Sequence, residues 1–317
     1  MSQTDDRPEL PSRPARGGLA LLARLPQGAL SRAFGRVADL PIPRPLRRPV
    51  LGAFARAVGA SVAEAELPLD AYPSLNRFFT RKLRPGVRRW PADPAVLASP
   101  VDGTTGQLGP VAAGWGVQAK GRRYSIAALL DDAEQAARFE GGVFLTTYLS
   151  PRDYHRIHAP CAGEIRQARH IPGALLPVNL PAVRHVPELF PRNERLVCYL
   201  DGPLGRVAVV AVGAYNVGRI SAAWDPAWNS PGGGASWVTN RAGLEGATRR
   251  YDPPVRVEQG DEIMTFHLGS TIVVLCEAGA VDLRPGLRAE ESVRLGEPLG
   301  RAVDLLPRDE LLHEEAR

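Results

Sequence analysis

Lysine is almost missing from this 317-residue chain: Lys82 and Lys120 are the only two, and arginine carries nearly all the positive charge. Cysteine is as scarce. Cys161, Cys198 and Cys276 form an odd, scattered set with no CxxC or CxxxC pair. That argues against a zinc site or a disulfide framework and points to a reducing compartment. No run of about 18 apolar residues exists, so no membrane-spanning helix is expected. The most apolar stretches, near 207–212 and 272–275, are strand-sized. The N-terminus carries Asp5 and Asp6 and no continuous apolar core, unlike a secretory signal. Neither an internal repeat nor a collagen-like glycine period is found.

What is present reads as globular: 44% hydrophobic and 23% charged residues. The length suits about two domains of ~150 residues, or one large one. Gly 32 and Pro 30 call for many turns. Charge is unevenly placed. Residues 1–60 hold ten Arg against Asp5, Asp6, Glu9 and Asp39, so the net charge of +5 comes from this arm and the body is near neutral. A neutral body with a basic arm suits an anionic partner, either acidic lipid or nucleic acid.

Residues 1–17 are polar and Pro-rich, the composition of a disordered tail. Apolar residues then recur at helical spacing: Leu30, Phe34 and Val37, and after a Pro-rich break Leu46, Val50, Phe54 and Val58. Arg32, Arg36, Arg47, Arg48 and Arg56 flank these stripes. The pattern predicts two short amphipathic helices that either pack on the body or lie in a membrane interface. Six basic residues between Arg77 and Arg89, with no acid among them, would extend that surface, so 18–90 is expected to be a helical membrane-associating region.

From about Leu97 short β-branched segments alternate with turn residues, at 142–149, 196–200, 207–212 and 271–275. Helical intervals are expected near 71–83 and 124–138. The fold class is therefore α+β, with a mainly β domain over 91–317. Residues 224–254, with three Trp and Gly232-Gly233-Gly234, read as a long mobile loop, and residues 304–317 as an acidic surface helix or tail.

Four segments could carry chemistry. Ser99-Pro100-Val101-Asp102-Gly103 puts a carboxylate on a tight turn, which alone reads better as a turn Asp bonding its own backbone. Tyr148 to Pro160 holds His155 and His158, three residues apart after a strand. No carboxylate or thiol at suitable spacing completes a metal site, so acid–base work fits better, with surface histidines as the bland alternative. Pro187-Glu188-Leu189-Phe190-Pro191-Arg192-Asn193-Glu194-Arg195 is a dense polar cluster before a strand and alone looks structural. His267-Leu268-Gly269-Ser270-Thr271 opens an apolar strand without a Gly-x-Ser-x-Gly elbow. A Ser hydroxyl can still attack the carbonyl preceding it, and Gly there removes steric hindrance.

In order, Leu75-Asn76-Arg77-Phe78-Phe79-Thr80-Arg81-Lys82-Leu83-Arg84-Pro85-Gly86 and these segments, with Lys120-Gly121, Ile171-Pro172-Gly173, Pro177-Val178-Asn179, Gly213-Ala214 and Val217-Gly218 between them, resemble the bacterial membrane-associated phosphatidylserine decarboxylase proenzymes. The resemblance runs from about 25 to 300. Three positions depart from the family's usual residues: Tyr215, Arg219 and Met264.

The resemblance implies self-cleavage between Gly269 and Ser270. Ser270 attacks the Gly269 carbonyl, the peptide becomes an ester, and elimination gives a dehydroalanine that hydrolyses to a pyruvoyl group and ammonia. The products are a β piece, 1–269, and an α piece, 270–317, held together. By the same resemblance His158 is the base for Ser270 and Asp102 orients and charge-stabilises it. The pyruvoyl group derived from Ser270 then forms a Schiff base with phosphatidylserine, and no metal is needed. His155 is the candidate for returning a proton or guiding the carboxylate; a role in shaping the pocket alone stays open. The implied setting is peripheral, on the cytoplasmic side of the cell membrane at an anionic surface; a homodimer is compatible with it, and nucleic acid is not a partner. The competing class is a non-catalytic membrane-binding relative that stays uncut.

Overall fold

The computed structural model describes residues 27–119, 122–214, 219–229, 237–241, 245–267 and 270–303. The expected tail at 1–17, Lys120-Gly121, Tyr215, Val217-Gly218, Gly232-Gly233-Gly234, Leu268-Gly269 and residues 304–317 lie outside them.

Two helices come first, α1 (Gln27–Asp39) and α2 (Arg44–Val58). A Pro in the first turn of α2 has no N–H to leave unpaired, and Gly59 ends the helix in the left-handed conformation at φ +77°. α1 meets the body through small residues. Ser31 and Ala38 are buried, and a Cβ on Gly35 would stand 2.9 Å from the Arg219 guanidinium. Its large apolar residues Leu30, Phe34 and Val37 point away, with Leu40 following them. α2 is apolar on two sides: Leu51 and Ala55 are buried with Tyr72 and Phe78, while Leu46 and Val50 are exposed. Phe54, expected on the Leu46–Val50 face, turns inward, its ring edge-on to Phe78 at 6.4 Å. At 100° per residue, position 54 lies about 40° round from 50, toward 51 and 55. A short helix, α3 (Leu75–Phe79), is capped by Ser74, whose Oγ accepts from the Arg77 N–H.

Two of the six basic residues expected on the surface between Arg77 and Arg89 turn inward. Arg81 is buried over the Phe78 ring at 5.2 Å, and Arg88 is clamped by Asp102 and Glu64.

The body is mainly β. Its strands are β1 (Val96–Ala98), β2 (Gly103–Pro110), β3 (Trp115–Ala119), β4 (Arg122–Ser125), β5 (Val143–Tyr148), β6 (Arg156–His158), β7 (Gly163–Ile171) and β8 (Arg195–Gly202). They continue as β9 (Gly205–Val212), β10 (Ile220–Ala222), β11 (Ala247–Val257), β12 (Glu262–Phe266), β13 (Thr271–Cys276), β14 (Val281–Leu283), β15 (Ser292–Val293) and β16 (Pro298–Ala302). Short helices α4 (Ile126–Leu130), α5 (Ala133–Ala137), α6 (Leu180–His185), α7 (Leu189–Arg192) and α8 (Pro226–Asn229) punctuate them.

An eight-stranded antiparallel sheet runs β11-β7-β8-β9-β13-β5-β2-β15. β13 lies inside it, with Thr271 opposite both Val212 of β9 and Tyr148 of β5. Every β13 residue is buried, which is why the strand reads as an unbroken apolar run. Its side chains alternate between two cores. Ile272, Val274 and Cys276 join Leu145, Val209 and Leu196 on one face, under the small sheets β10-β12-β6 and β1-β16-β14. Val273 and Leu275 join Phe144, Val210 and Tyr199 on the other, under α4, α7 and Phe139. Met264, one of the departures, is buried in the first core.

The stretch expected to be a long mobile loop is only partly one among the described residues. α8 falls within it and the edge strand β11 begins in it, β11 pairing with β7 at 247–250 and again at 255–257, with a break between. Pro253 and Pro254 hid that strand, since proline in a sheet is confined to edges and bulges. Leu275→Ala, at the middle of the sheet, should cost about 2–5 kcal/mol in urea unfolding; a loss below ~1 kcal/mol would mean β13 is not the packing centre.

Candidate active site

Ser270 precedes β13 and is fully buried. Its carbonyl accepts from the Leu149 N–H at 2.8 Å, which fastens it to the end of β5. Its Oγ has no hydrogen-bond partner among the described residues. A buried hydroxyl left unspent is costly in a finished core, so its burial without a partner marks Ser270 as a reactive candidate.

The two histidines sit on the neighbouring strand β6 and just before it. His155 is buried, its ring 4.0 Å from that of Phe79, and its carbonyl accepts from the Phe266 N–H at 2.9 Å, beside the segment that leads to Ser270. The Asp153 carbonyl, 2.9 Å away, can only accept, so Nδ1 carries the proton. Nε2 then bears a lone pair and has no partner among the described residues. Burial pulls the His155 pKa down to about 3.

His158 is held from both ends. Nδ1 donates to the Gly260 carbonyl at 2.6 Å, and Nε2, 3.1 Å from the Tyr154 hydroxyl, accepts its proton. Burial lowers the pKa of His158 as well. Both rings are therefore neutral and carry their protons on Nδ1, the state a general base needs. Gly260 has φ +95°, and a Cβ there would lie 2.7 Å from the Trp90 ring, so the turn that places its carbonyl requires glycine.

Asp102 does not bond to His158. Its carboxylate takes a two-pronged contact from Arg88, Nε to Oδ1 at 2.9 Å and Nη2 to Oδ2 at 2.5 Å, and a third bond from the Leu295 N–H at 2.8 Å. The acceptor that orients His158 is the Gly260 carbonyl. Asp102 is tied to His158 through the backbone: the Pro100 carbonyl, on the same turn, accepts from the His158 N–H at 2.9 Å. The structure thus sets His155 against Phe266 at the end of β12 and the Asp102 turn beside His158, with no hydrogen bond among Asp102, His158 and Ser270 in the described residues.

Sequence reasoning missed Tyr154, Arg88 and Gly260. Tyr154 lies four residues before His158, a spacing that was visible; the other two are distant in sequence and carried no signal. Arg219, one of the departures, is buried, pairs with Asp39 at the end of α1 and lies over the Trp237 ring at 4.6 Å. Among the described residues no group of three or more His, Cys, Asp or Glu is placed to hold a metal ion.

A buried serine heading a central strand and two neutral histidines are groups of the kind that nucleophilic and acid–base enzymes use. The comparison with known families is specific. Residues 75–301 match the model of the family described as phosphatidylserine decarboxylase. Relatives named phosphatidylserine decarboxylase proenzyme include one from Anaeromyxobacter sp. (strain K), 46% identical over 285 residues, spanning 90% of this chain and 98% of that protein. Others come from Myxococcus xanthus (strain DK1622), 43% identical over 282 residues (89% and 97%), and Acidovorax ebreus (strain TPSY), 45% identical over 280 (87% and 94%). The chain belongs to the phosphatidylserine decarboxylase family.

Burying neutral His155 and His267, both pulled to about 3, gives a pH signature. Between the ordinary histidine value near 6.5 and about 3 only the unfolded chain takes up these protons, so stability should fall as pH drops through that window. Histidine ring NMR from pH 8 to 5 should show neither residue titrating; a midpoint near 6.5 for either would contradict the burial argument.

Proposed function

We propose that this protein is a pyruvoyl-dependent phosphatidylserine decarboxylase that cuts its own chain before Ser270 and converts phosphatidylserine to phosphatidylethanolamine at a membrane surface. The observation that carries the reading is the unspent Ser270 Oγ at the head of a rigid central strand, in a chain whose relatives are named as proenzymes of this activity.

In this reading Ser270 Oγ attacks the Gly269 carbonyl while its proton passes to His158 Nε2, which must first give up the Tyr154 hydroxyl. The C–N bond breaks and the nitrogen of residue 270 takes up a proton. Asp102 acts as a positioning group: the Arg88 clamp fixes its turn, and the turn fixes the His158 backbone. Ser270 fits the role of pyruvoyl precursor because it is buried, away from competing water, and its Oγ has no hydrogen-bond partner among the described residues. Once formed, that group supplies the electron sink for the charge left by loss of CO2. His155 Nε2 bears a lone pair, which repels a carboxylate and can pick up and return a proton. That favours proton return to the α-carbon over carboxylate guidance, with Phe79 holding the ring in place.

The lipid-facing surface in this reading is the 27–58 helical pair, within a membrane-associating region over 18–90 set against a catalytic domain over 91–317. Leu30, Phe34, Val37, Leu40, Leu46 and Val50 are exposed there, Val37 at 63% and Leu40 at 60%. Exposed Arg36, Arg44 and Arg48 accompany them. An apolar patch with cations beside it suits an anionic interface, each cation contributing ~1 kcal/mol. Among the described residues no helix is long and apolar enough to cross a membrane, and a peripheral placement on the cytoplasmic side fits the patch.

Intact mass of the purified protein should give pieces 1–269 and 270–317, and Ser270→Ala one uncut chain without decarboxylase activity. An uncut wild type would favour the non-catalytic relative instead. His158→Ala should slow the cut, whereas His155→Ala should be cut and decarboxylate ~10²–10⁴-fold more slowly; failure of His155→Ala to be cut would reverse the two roles. Phe34→Ser with Leu40→Ser and Leu46→Ser, which leave the inward faces of α1 and α2 intact, should lose sedimentation with phosphatidylserine vesicles while still being cut. Unchanged sedimentation would place the membrane contact elsewhere.

A further inference from the structure

A cavity of about 710 Å³ lies between the end of α1, α3 and the β10–β12 strands. Its lining includes Asp39, Asn76, Arg77, Arg156, Ser221 and His267. Two features tie it to the surfaces described above. Asp39 and Pro41 line it on either side of Leu40 in sequence, the residue that ends the exposed apolar stripe. α3 is a wall shared with the catalytic region: Asn76 and Thr80, just past its end, line the cavity while Phe79 stacks on His155. His267, three residues before Ser270 in sequence, is half-buried and lines the cavity as well.

The charges around the cavity leave one cation over. Arg156 is paired with Glu262 at 2.7 Å, and Asp39 is paired with Arg219. His267 is neutral, its pKa lowered to about 3 first by burial and then by Arg219 and other arginines, Arg77 among them. Arg77 itself is exposed and its side chain has no ion pair or hydrogen bond among the described residues. Beside it, Asn76 is 4% exposed and has spent both amide hydrogens, on Asp39 at 2.7 Å and on His267 Nδ1 at 3.3 Å. Both partners act as acceptors, so the amide cannot turn over, and Oδ1 is left buried and unpartnered. With Nδ1 accepting, His267 Nε2 carries the proton and donates to Ser221 at 3.1 Å. The cavity therefore offers one unpaired cation and one unspent acceptor.

We propose that this cavity seats the polar headgroup of the lipid substrate, with Arg77 as counter-cation to the phosphodiester and Asn76 Oδ1 as acceptor for the amino end of the serine. This rests on the decarboxylase reading above. A single free positive charge matches the single negative charge of the phosphodiester, and an arginine presents donors in the fork geometry that phosphate oxygens accept. Asn76 lines the cavity and is held from both sides, so its unspent Oδ1 is fixed in the wall.

The test uses the mature protein and short-chain phosphatidylserine in neutral detergent micelles, where attraction to an anionic surface is absent. Arg77→Gln should raise KM about tenfold or more, the size of a lost charge-assisted contact, with kcat within about twofold. Arg77→Lys should recover most of the loss. Glycerophosphoserine should inhibit the wild type better than Arg77→Gln, whereas free serine, lacking the phosphate, should not tell them apart. Arg256→Gln, exposed on β11 away from the cavity, serves as the control and should leave KM unchanged. An active wild type with an unaltered KM in Arg77→Gln overturns the headgroup assignment alone, as does an equal rise in Arg256→Gln. A wild type that is neither cut nor releases CO2 overturns the decarboxylase reading and this inference with it. Should Arg77→Gln fail to be cut, the KM of Arg77→Lys and the glycerophosphoserine inhibition of the wild type decide: no inhibition by the headgroup refutes the site.

Discussion

Ser270 is held by the pairing of the strand it begins. β13 is hydrogen-bonded to β9 and β5 along its length and buried on both faces, and the Leu149 N–H fixes the Ser270 carbonyl. In the proposed cut, a serine attacking the carbonyl of its own peptide would need its backbone immobile, because a small displacement of either atom costs a large factor in rate. The sheet supplies that immobility, and the two cores that β13 separates hold the sheet. Around it, Phe79 of α3 lies against the His155 ring, and the Asp102 turn holds the His158 backbone through the Pro100 carbonyl.

Burial sets the protonation states around it. His155, His158 and His267 are kept neutral chiefly by desolvation, and the carbonyls of Asp153 and Gly260 select the tautomer of the first two. His155 and His158 then present a lone pair on Nε2, whereas His267 carries its proton there. For His158 that lone pair is met by Tyr154, whose phenol is itself pushed well above its ordinary value by burial. The same desolvation that keeps the imidazole neutral also keeps its hydroxyl partner protonated. Carboxylates are handled differently: Asp102 and Glu262 each face an arginine, so the buried negative charges are paired and hydrogen-bonded.

Much of this was legible in the sequence where a local pattern existed. The apolar run of β13, the strands near 143–148 and 205–212 and the two N-terminal helices follow from periodicity. Ser270, His155, His158 and Asp102 were singled out as candidates by motif. What was not legible depends on three-dimensional neighbours. The pairing of Asp102 with Arg88 and of His158 with Gly260 joins residues far apart in the chain. β11 was hidden by its prolines, and the inward turn of Arg81 and Arg88 cannot be read from a run of like charges. The outward placement of Leu30, Phe34 and Val37 was fixed only when Ser31, Gly35 and Ala38 proved to be the packing face of α1.

The central claim is that Ser270 is consumed in the cut rather than merely exposed by it. The mass of the shorter piece decides this most directly. Serine-driven cleavage with loss of ammonia yields a 270–317 piece lighter by one ammonia than a chain beginning with serine, and lacking a free amino terminus. A short piece with the full mass of a serine-started chain would show ordinary hydrolysis and contradict the account.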